Sequence, residues 1–309
     1  MITFGPIPSR RLGFSLGINN IPVKHCSYAC TYCQAGPTHP LEIQRQAFYP
    51  VDEIVAAVAQ KVAESEEKGQ AIDFLSFVPD GQPTLDVFLA EQLEALRVFN
   101  IPIAVISNAS LIHDPAVIDA LCRADWVSLK VDSVVEETWR AVNRPYGKLQ
   151  LASILEGIKA FRGIYDGSLA TETMLIRGVN DDANHLRKVA VFLTTVKPNI
   201  PYLSIPIRPP TDAGIEAPSS AALQQAFEIF SKMLPTTVAL FELEEPAFIS
   251  TGNLREDILS ITAVHPLREA PLRKMIAEAD GDWSVVEALV KEGSLIELVY
   301  NGERFFRQF

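Results

Sequence analysis

Cysteine is scarce in this chain of 309 residues, which has only four. Basic side chains are outnumbered, with 27 Lys and Arg against 38 Asp and Glu for a formal net charge of −11. That balance argues against unaided binding to a phosphate backbone, which needs a basic face, although a local basic patch stays open. Long hydrophobic runs are missing too; stretches such as "TTVALFEL" are far too short to cross a bilayer. The opening "MITFGPIPSRR" has prolines where a secretory signal would carry its apolar stretch. No repeat is found, and the only charge run, "ESEEKG", reads as a solvated helix end. The expectation is a soluble cytoplasmic protein with no membrane partner, in a compartment where thiols stay reduced. What is present suits a sizeable core: 48% of residues are hydrophobic and 21% charged. The length fits one large α/β domain, alone or with a small appendage.

Three of the four cysteines, Cys26, Cys30 and Cys33, fall within eight positions in "HCSYACTYCQAG". A disulfide between neighbours so spaced would be awkward and would leave one thiol over, so metal binding or catalysis is expected first. Structural zinc wants four protein ligands, and no fourth is evident. His25 adjoins the first thiol, but immediate neighbours seldom point at one ion together. Three thiolates on one loop can instead hold three irons of a four-iron cluster and leave the fourth without a protein ligand. Cys122, in the helical pattern "VIDALCRAD", is expected to be a buried thiol acting as a small hydrophobe.

Along the chain, extended runs ("LGFSLGIN", "DFLSFVP", "IAVISN", "WVSLKVD", "LATETMLI", "YLSIPI", "TTVALFEL") alternate with amphipathic ones. Helical stripes run from Val51 to Val62, Leu85 to Val98, Pro115 to Cys122, Ile154 to Phe161, Leu186 to Val196 and Ala221 to Met233. About six such repeats imply parallel pairing with right-handed crossovers, in a doubly wound sheet or a partial barrel. The strands are near-continuous apolar runs, as expected when both faces are covered. Residues 1–250 form this unit. Residues 254–309 read as three short helices and a hairpin turning at Asn301-Gly302, the outline of a winged helix. That tail has 7 Lys and Arg against 10 Asp and Glu, so packing or protein contact is favoured over DNA binding.

The spacing Cys26-x3-Cys30-x2-Cys33, with aromatic Tyr32 before the last cysteine, resembles the signature of the radical S-adenosylmethionine (SAM) superfamily. The resemblance implies a partial (β/α)6 TIM-like barrel holding one 4Fe–4S cluster whose open iron is chelated by SAM. It implies reductive cleavage of SAM to methionine and a 5′-deoxyadenosyl radical, which abstracts hydrogen from substrate. Other segments resemble the family in the right order. "FVPDGQPTL" is similar to its glycine-and-acid turn after the second strand. Backbone groups of Asp80, Gly81 and Gln82 would there meet the methionine amino group, with Gln82 where glutamate is usual. "VISNASLI" resembles the turn after the third strand, which implies Ser107 and Asn108 near a ribose hydroxyl; Asn also favours turns for its own reasons. Lys130 takes the place of a residue reaching the methionine carboxylate, and an interior lysine needs an anionic partner. Asp132 would pair with Lys130 or face the substrate, Tyr32 would flank adenine, and Ile207 would offer backbone to adenine. Glu172 becomes a substrate or cofactor contact if its strand face is the barrel lumen. Arg208 is a candidate for a substrate carboxylate or phosphate, or an ordinary surface arginine. Asn180 and Asp181 read chiefly as a turn and helix start.

Within the superfamily, "FGPIPSRRLGFSLGIN" resembles the group with the wyosine-base (tRNA imidazoguanosine) synthases, and "LIRGVNDD" recurs in molybdenum-cofactor-type radical SAM proteins. The wyosine enzymes carry further cysteines for a second cluster, and none precedes Cys26 here. Arg10 and Arg11 either contact an anionic substrate or sit on the surface. The substrate expected is a small molecule, a peptide or protein, or tRNA, and the electron donor a flavodoxin or ferredoxin. The rival from another class is an iron–sulfur or zinc sensor with a DNA-binding winged-helix tail. It needs a basic third helix, whereas "WSVVEALVKEGS" sets Lys291 alone against Glu287 and Glu292.

Overall fold

From residue 13 onward the chain repeats strand, helix, parallel strand, and the side chains of each strand divide between two environments. The computed structural model describes residues 2–78, 80–241, 253–264 and 266–308. The elements begin with β1 (Thr3–Ser9), β2 (Gly13–Ile18), α1 (Val51–Glu67), β3 (Phe74–Phe77), α2 (Leu89–Leu96) and β4 (Ile103–Ser107). Next come α3 (Pro115–Leu121), β5 (Trp126–Lys130), α4 (Glu136–Asn143), α5 (Leu151–Ile164) and β6 (Ser168–Met174). The unit closes with α6 (Ala183–Val196), β7 (Ile200–Ser204), α7 (Ser220–Met233) and β8 (Val238–Leu240). The sheet order is β1 to β8 without interruption; β1 pairs antiparallel with β2 and every later pairing is parallel. Six strand–helix units followed by β8 make a curled, open sheet, a partial TIM-like barrel.

Strand β1 was not expected, because Gly5, Pro6 and Pro8 look unlike a strand. It is an edge strand with a register shift between Phe4 and Ile7, where missing N–H donors do no harm. Helix α4 was also unforeseen, since it buries only Trp139, Val142 and Asn143. The strand expected over 236–243 is seen as Val238–Leu240, and its last two positions lie outside the described residues, as does the expected boundary at 250.

Outward residues of the strands are large and apolar. Leu16, Ile18, Leu75, Phe77, Val105, Val127, Leu129, Leu169 and Leu203 pack under the helices in one continuous core. Inward residues differ: Ser15, Gly17, Ser76, Lys130, Glu172 and Ser204 line the lumen. The expectation of apolar runs on both faces therefore holds for the outer face only. The inner face is polar because it encloses a cavity of about 280 Å³ rather than a packed core. Its floor is apolar, with Leu12, Ala104, Trp126, Ala170, Tyr202 and Leu240 in one cluster. Arg10 Nη1 donates to the Leu240 carbonyl at 2.8 Å, so the β1–β2 turn reaches the far edge of the sheet.

The remaining elements are α8 (Leu254–Val264), β9 (Leu267–Arg268), α9 (Glu269–Glu278), α10 (Ser284–Lys291), β10 (Leu295–Tyr300) and β11 (Glu303–Gln308). The hairpin turning at Asn301-Gly302 gains a third strand, giving the order β10-β11-β9. This C-terminal unit builds its core with two residues borrowed from β1: Phe4 and Ile7 pack with Ile258, Leu272, Met275 and Phe306. The edge of the barrel sheet is thus covered by the tail. Gly17 is required beneath this contact, because a Cβ there would overlap the Phe4 ring. Replacement of Phe4 by Ala should lower stability by about 3–5 kcal/mol, measured by urea unfolding. An unchanged midpoint would show that the tail does not depend on β1.

Candidate active site

Residues 19–50 join β2 to α1 and contain only isolated bridges, yet parts of this loop, among them Ile21, Ser27, Tyr28 and Thr31, are buried. Buried peptide groups need partners, and a loop without a ladder must borrow them. Ala29 N donates to the Asn143 and Arg144 carbonyls and Thr31 N to Val142, all at the C-terminal end of α4. Tyr146 N donates to Ser27 O, Lys24 N to Asp80 O, and Gln82 N to His25 O at 3.0 Å. Gly81 passes so close to the His25 carbonyl that no Cβ fits. Thr211 Oγ1, beyond β7, donates to Cys33 O at 2.7 Å.

The three thiols line one pocket of about 180 Å³ together with Lys24, Asp80 and Gly81. Burial is the main reason that all three thiols titrate high; Cys26 is pushed up to about 12, and Cys30 and Cys33 are also raised. Amide donors already face two of the sulfurs, Asn108 Nδ2 at 3.6 Å from Cys26 and Asn143 Nδ2 at 3.5 Å from Cys30. Buried thiols with N–H donors aimed at them suit thiolates bound to a cationic centre. Among the described residues no three Cys, His, Asp or Glu side chains converge as on a single ion. A four-iron cluster asks for a different arrangement, one thiolate on each of three irons, so the donor set fits the cluster. His25 pairs with Glu42 (Nε2–Oε1 3.7 Å) and does not line this pocket. Burial raises the Asp80 carboxyl to about 7 even though Lys24 opposes the shift.

The thiol pocket and the lumen share Cys33, Gln34 and Val78 as common wall. Inside the lumen Glu172 is held by three groups. Arg11 Nη2 bonds Oε2, while Lys130 Nζ and Ser204 Oγ both donate to Oε1 at 2.8 Å. Burial alone would raise the Glu172 carboxyl, but Arg11 and then Lys130 outweigh it and hold it far below the usual carboxylate range. Burial likewise opposes the Lys130 ammonium, and Glu172 together with the nearby Asp132 charge more than compensates. Lys130 also lies over the Tyr32 ring, 5.1 Å from its centroid.

The expected partner of Lys130 is therefore Glu172 and not Asp132. Asp132 instead accepts from Tyr32 OH, from Asn143 Nδ2 at 2.6 Å and from Met174 N at 2.8 Å. It fixes the Tyr32 ring at the edge of the cysteine loop. Gln82 is buried and fully engaged. Its amide donates to Thr84 and Ser107 hydroxyls and accepts from Asn108 N, bracing the turn after β3 against the turn after β4. Asn108 donates to Ser27 Oγ at 2.9 Å, so in this structure it braces the cysteine loop. Ile207 and Arg208 line the lumen near Gln34, to whose Oε1 Arg208 donates at 3.4 Å.

Sequence reading missed Asn143, whose amide touches Cys30, Tyr32 and Asp132 at once. It also underrated Asn180, which is buried and joins Ile176 N to the Asp132 and Met174 carbonyls. The helix start lies one residue later than expected, with Asp182 capping α6. Cys122 is exposed, not buried, because it falls at the C-terminal end of α3 beyond the packed face. Arg11 is turned into the lumen. The tail contributes as well: Arg307 Nη1 donates to Gln34 O at 3.4 Å, and Tyr300 OH to Pro206 O at 3.0 Å.

A parallel half-barrel with a three-thiol pocket beside a charged lumen defines a class of metallo-cofactor enzyme, and comparison with known proteins makes the class definite. Residues 20–189 match the Radical SAM superfamily model, and the chain belongs to that superfamily. Its cofactors are a 4Fe–4S cluster and S-adenosylmethionine. It is 43% identical over 307 residues to a UPF0026 protein of Methanocaldococcus jannaschii, covering 99% of this chain and 95% of that one. A UPF0026 protein of Helicobacter pylori is 32% identical over 278 residues, 88% and 87% of the two chains. Among solved structures, a radical SAM methyltransferase from Sphaerobacter thermophilus superposes with TM-score 0.57 at 17% identity, covering 75% of this chain and 69% of that one. Streptococcus suis SuiB bound to S-adenosylmethionine gives 0.52 at 12% identity, over 72% and 49%. The family is one of enzymes, which replaces the sensor reading. No helix among the described residues is long and apolar enough to cross a membrane.

The buried pair yields a prediction with a defined sign. Because the Glu172 carboxyl is depressed in the folded protein, its contribution is fully present above the ordinary carboxylate range and is lost as pH falls below it. Glu172→Gln should cost about 3 kcal/mol at pH 7, measured by urea unfolding. The difference from the parent should remain nearly whole at pH 4 and shrink clearly by about pH 2, toward the depressed value of the folded carboxyl, and an equal difference at pH 7 and pH 2 would contradict the ion pair.

Proposed function

We propose that this enzyme abstracts a hydrogen atom from a substrate bound in the barrel lumen, beneath a cofactor seated at the cysteine loop. The observation that carries the reading is the common wall of Cys33, Gln34 and Val78 between the thiol pocket and the lumen. When bound, the reduced cluster and SAM supply a 5′-deoxyadenosyl radical, the hydrogen-abstracting species.

The chain's own residues position and insulate. Cys26, Cys30 and Cys33 would hold three irons, with Asn108 and Asn143 donating to two of the sulfurs. The turn of Asp80, Gly81 and Gln82 forms one side of the pocket, and its rigidity comes from the Gln82 amide. Lys130 would take the methionine carboxylate, and Tyr32, pinned by Asp132, would flank the adenine near Ile207. The apolar floor limits water at the bottom of the lumen, which suits a reactive organic radical. An electron donor such as a flavodoxin or ferredoxin would reduce the cluster.

The test is anaerobic reconstitution. Wild type should take up about four irons and four sulfides, change its Mössbauer spectrum on addition of SAM, and release 5′-deoxyadenosine with dithionite. Cys30→Ala should lose the cluster and the product, whereas Cys122→Ala should keep both. Cluster retention by Cys30→Ala, or a Mössbauer spectrum indifferent to SAM in wild type, would refute the assignment.

A further inference from the structure

Charge in the lumen is unequally matched. Glu172 is the one carboxylate among the described residues that line it, and Arg11 and Lys130 share that carboxylate. Lys130 and Ser204 fill one oxygen and Arg11 bonds the other, so two cations draw on a single carboxylate. Arg11 gives an Nη to Glu172 and lays its guanidinium over the Tyr202 ring, 5.6 Å from the centroid. Its Nε is buried without a hydrogen-bond partner. Guanidinium keeps its charge here, and because Nε is covered by protein, the donor that Arg11 can offer the cavity is at its tip.

The surroundings narrow what that acceptor is. Hydroxyls of Ser15 and Ser76, 2.5 Å apart, and of Ser204 line the same cavity. Below, Leu12, Trp126, Tyr202 and Leu240 close it with apolar surface, and the Arg10 bond to Leu240 ties the turn across. A chamber shut at the bottom, of about 280 Å³ in all, admits a small molecule and not a folded partner. The carboxylate of SAM would satisfy Lys130 and leave Arg11. Nη2 is taken by Glu172, so Nη1 is the nitrogen left to make a charge-assisted hydrogen bond to an anion in the cavity.

We propose that Arg11 is a substrate-binding residue that anchors the carboxylate of a small acid in the lumen, below the SAM site. This rests on the reading of the lumen as the substrate chamber. The sequence alone left Arg11 divided between an anion contact and the surface; the structure turns it inward.

The test uses the full chain, reconstituted with its cluster and saturated with SAM, titrated calorimetrically with succinate, inorganic phosphate and succinamide. SAM saturation is read first, so failure of the cofactor assignment shows before any anion is added. Wild type should bind succinate, bind phosphate less well and ignore the neutral succinamide. Arg11→Gln should weaken succinate at least about tenfold while SAM binding is retained. If that variant does not fold, Arg11→Lys carries the test: it keeps the charge but cannot hold Glu172 and an anion through separate planar donors, and should weaken succinate about threefold or more. Equal succinate affinity in the variants, no anion binding by wild type, or phosphate bound more tightly than succinate would each overturn the proposal.

Discussion

A long loop can be buried only if other elements supply hydrogen bonds to its backbone, and this requirement organises the molecule. The cysteines sit on thirty-odd residues without a ladder of their own, so the end of α4, the turn after β3 and the segment beyond β7 all contribute donors or acceptors to it. Each borrowed bond also fixes a side chain of the site. Gln82 braces two strand-end turns, and Asn143 leaves the end of α4 to reach both a thiol and the Tyr32–Asp132 pair. The loop is therefore held rigid by the same groups that shape the cofactor pocket, which is how a catalytic loop without regular structure becomes preorganised.

The lumen obeys a second constraint, the balance of charge away from water. A single buried carboxylate would titrate upward and a single buried ammonium downward. Placed together, Arg11, Glu172 and Lys130 each keep their charge, with Ser204 completing the carboxylate's shell. The three residues come from the β1–β2 turn, β6 and β5, so the contact also holds the hairpin against the barrel wall. Stability and ligand chemistry here depend on the same atoms.

Much of this was legible in the sequence. Alternating runs located every parallel strand, because outward positions such as Leu75, Val105 and Leu129 are uniformly apolar. The cysteine spacing located the cofactor loop. What escaped were features whose signal is not local. Strand β1 hides behind its prolines, since an edge strand tolerates missing donors. Asn143 and Asn180 resemble ordinary turn residues until the fold brings distant carbonyls and sulfurs to them. Asp132 was expected to pair with Lys130 or to face the substrate, but the hydrogen-bonded partner of Lys130 is Glu172, 42 residues on, which faces the same lumen. Cys122 was misjudged because a helical stripe does not reveal where the packed face ends.

One contact carries a consequence for biosynthesis. The cysteine loop lies in the first tenth or so of the chain, whereas the side chain that closes over Gln34 comes from β11, close to residue 309. A ribosome exposes the thiols long before it exposes Arg307. The pocket is consequently assembled in stages along the chain: the end of α4 and then Thr211 must arrive before the loop has its hydrogen bonds, and the Arg307 contact at the rim comes after both.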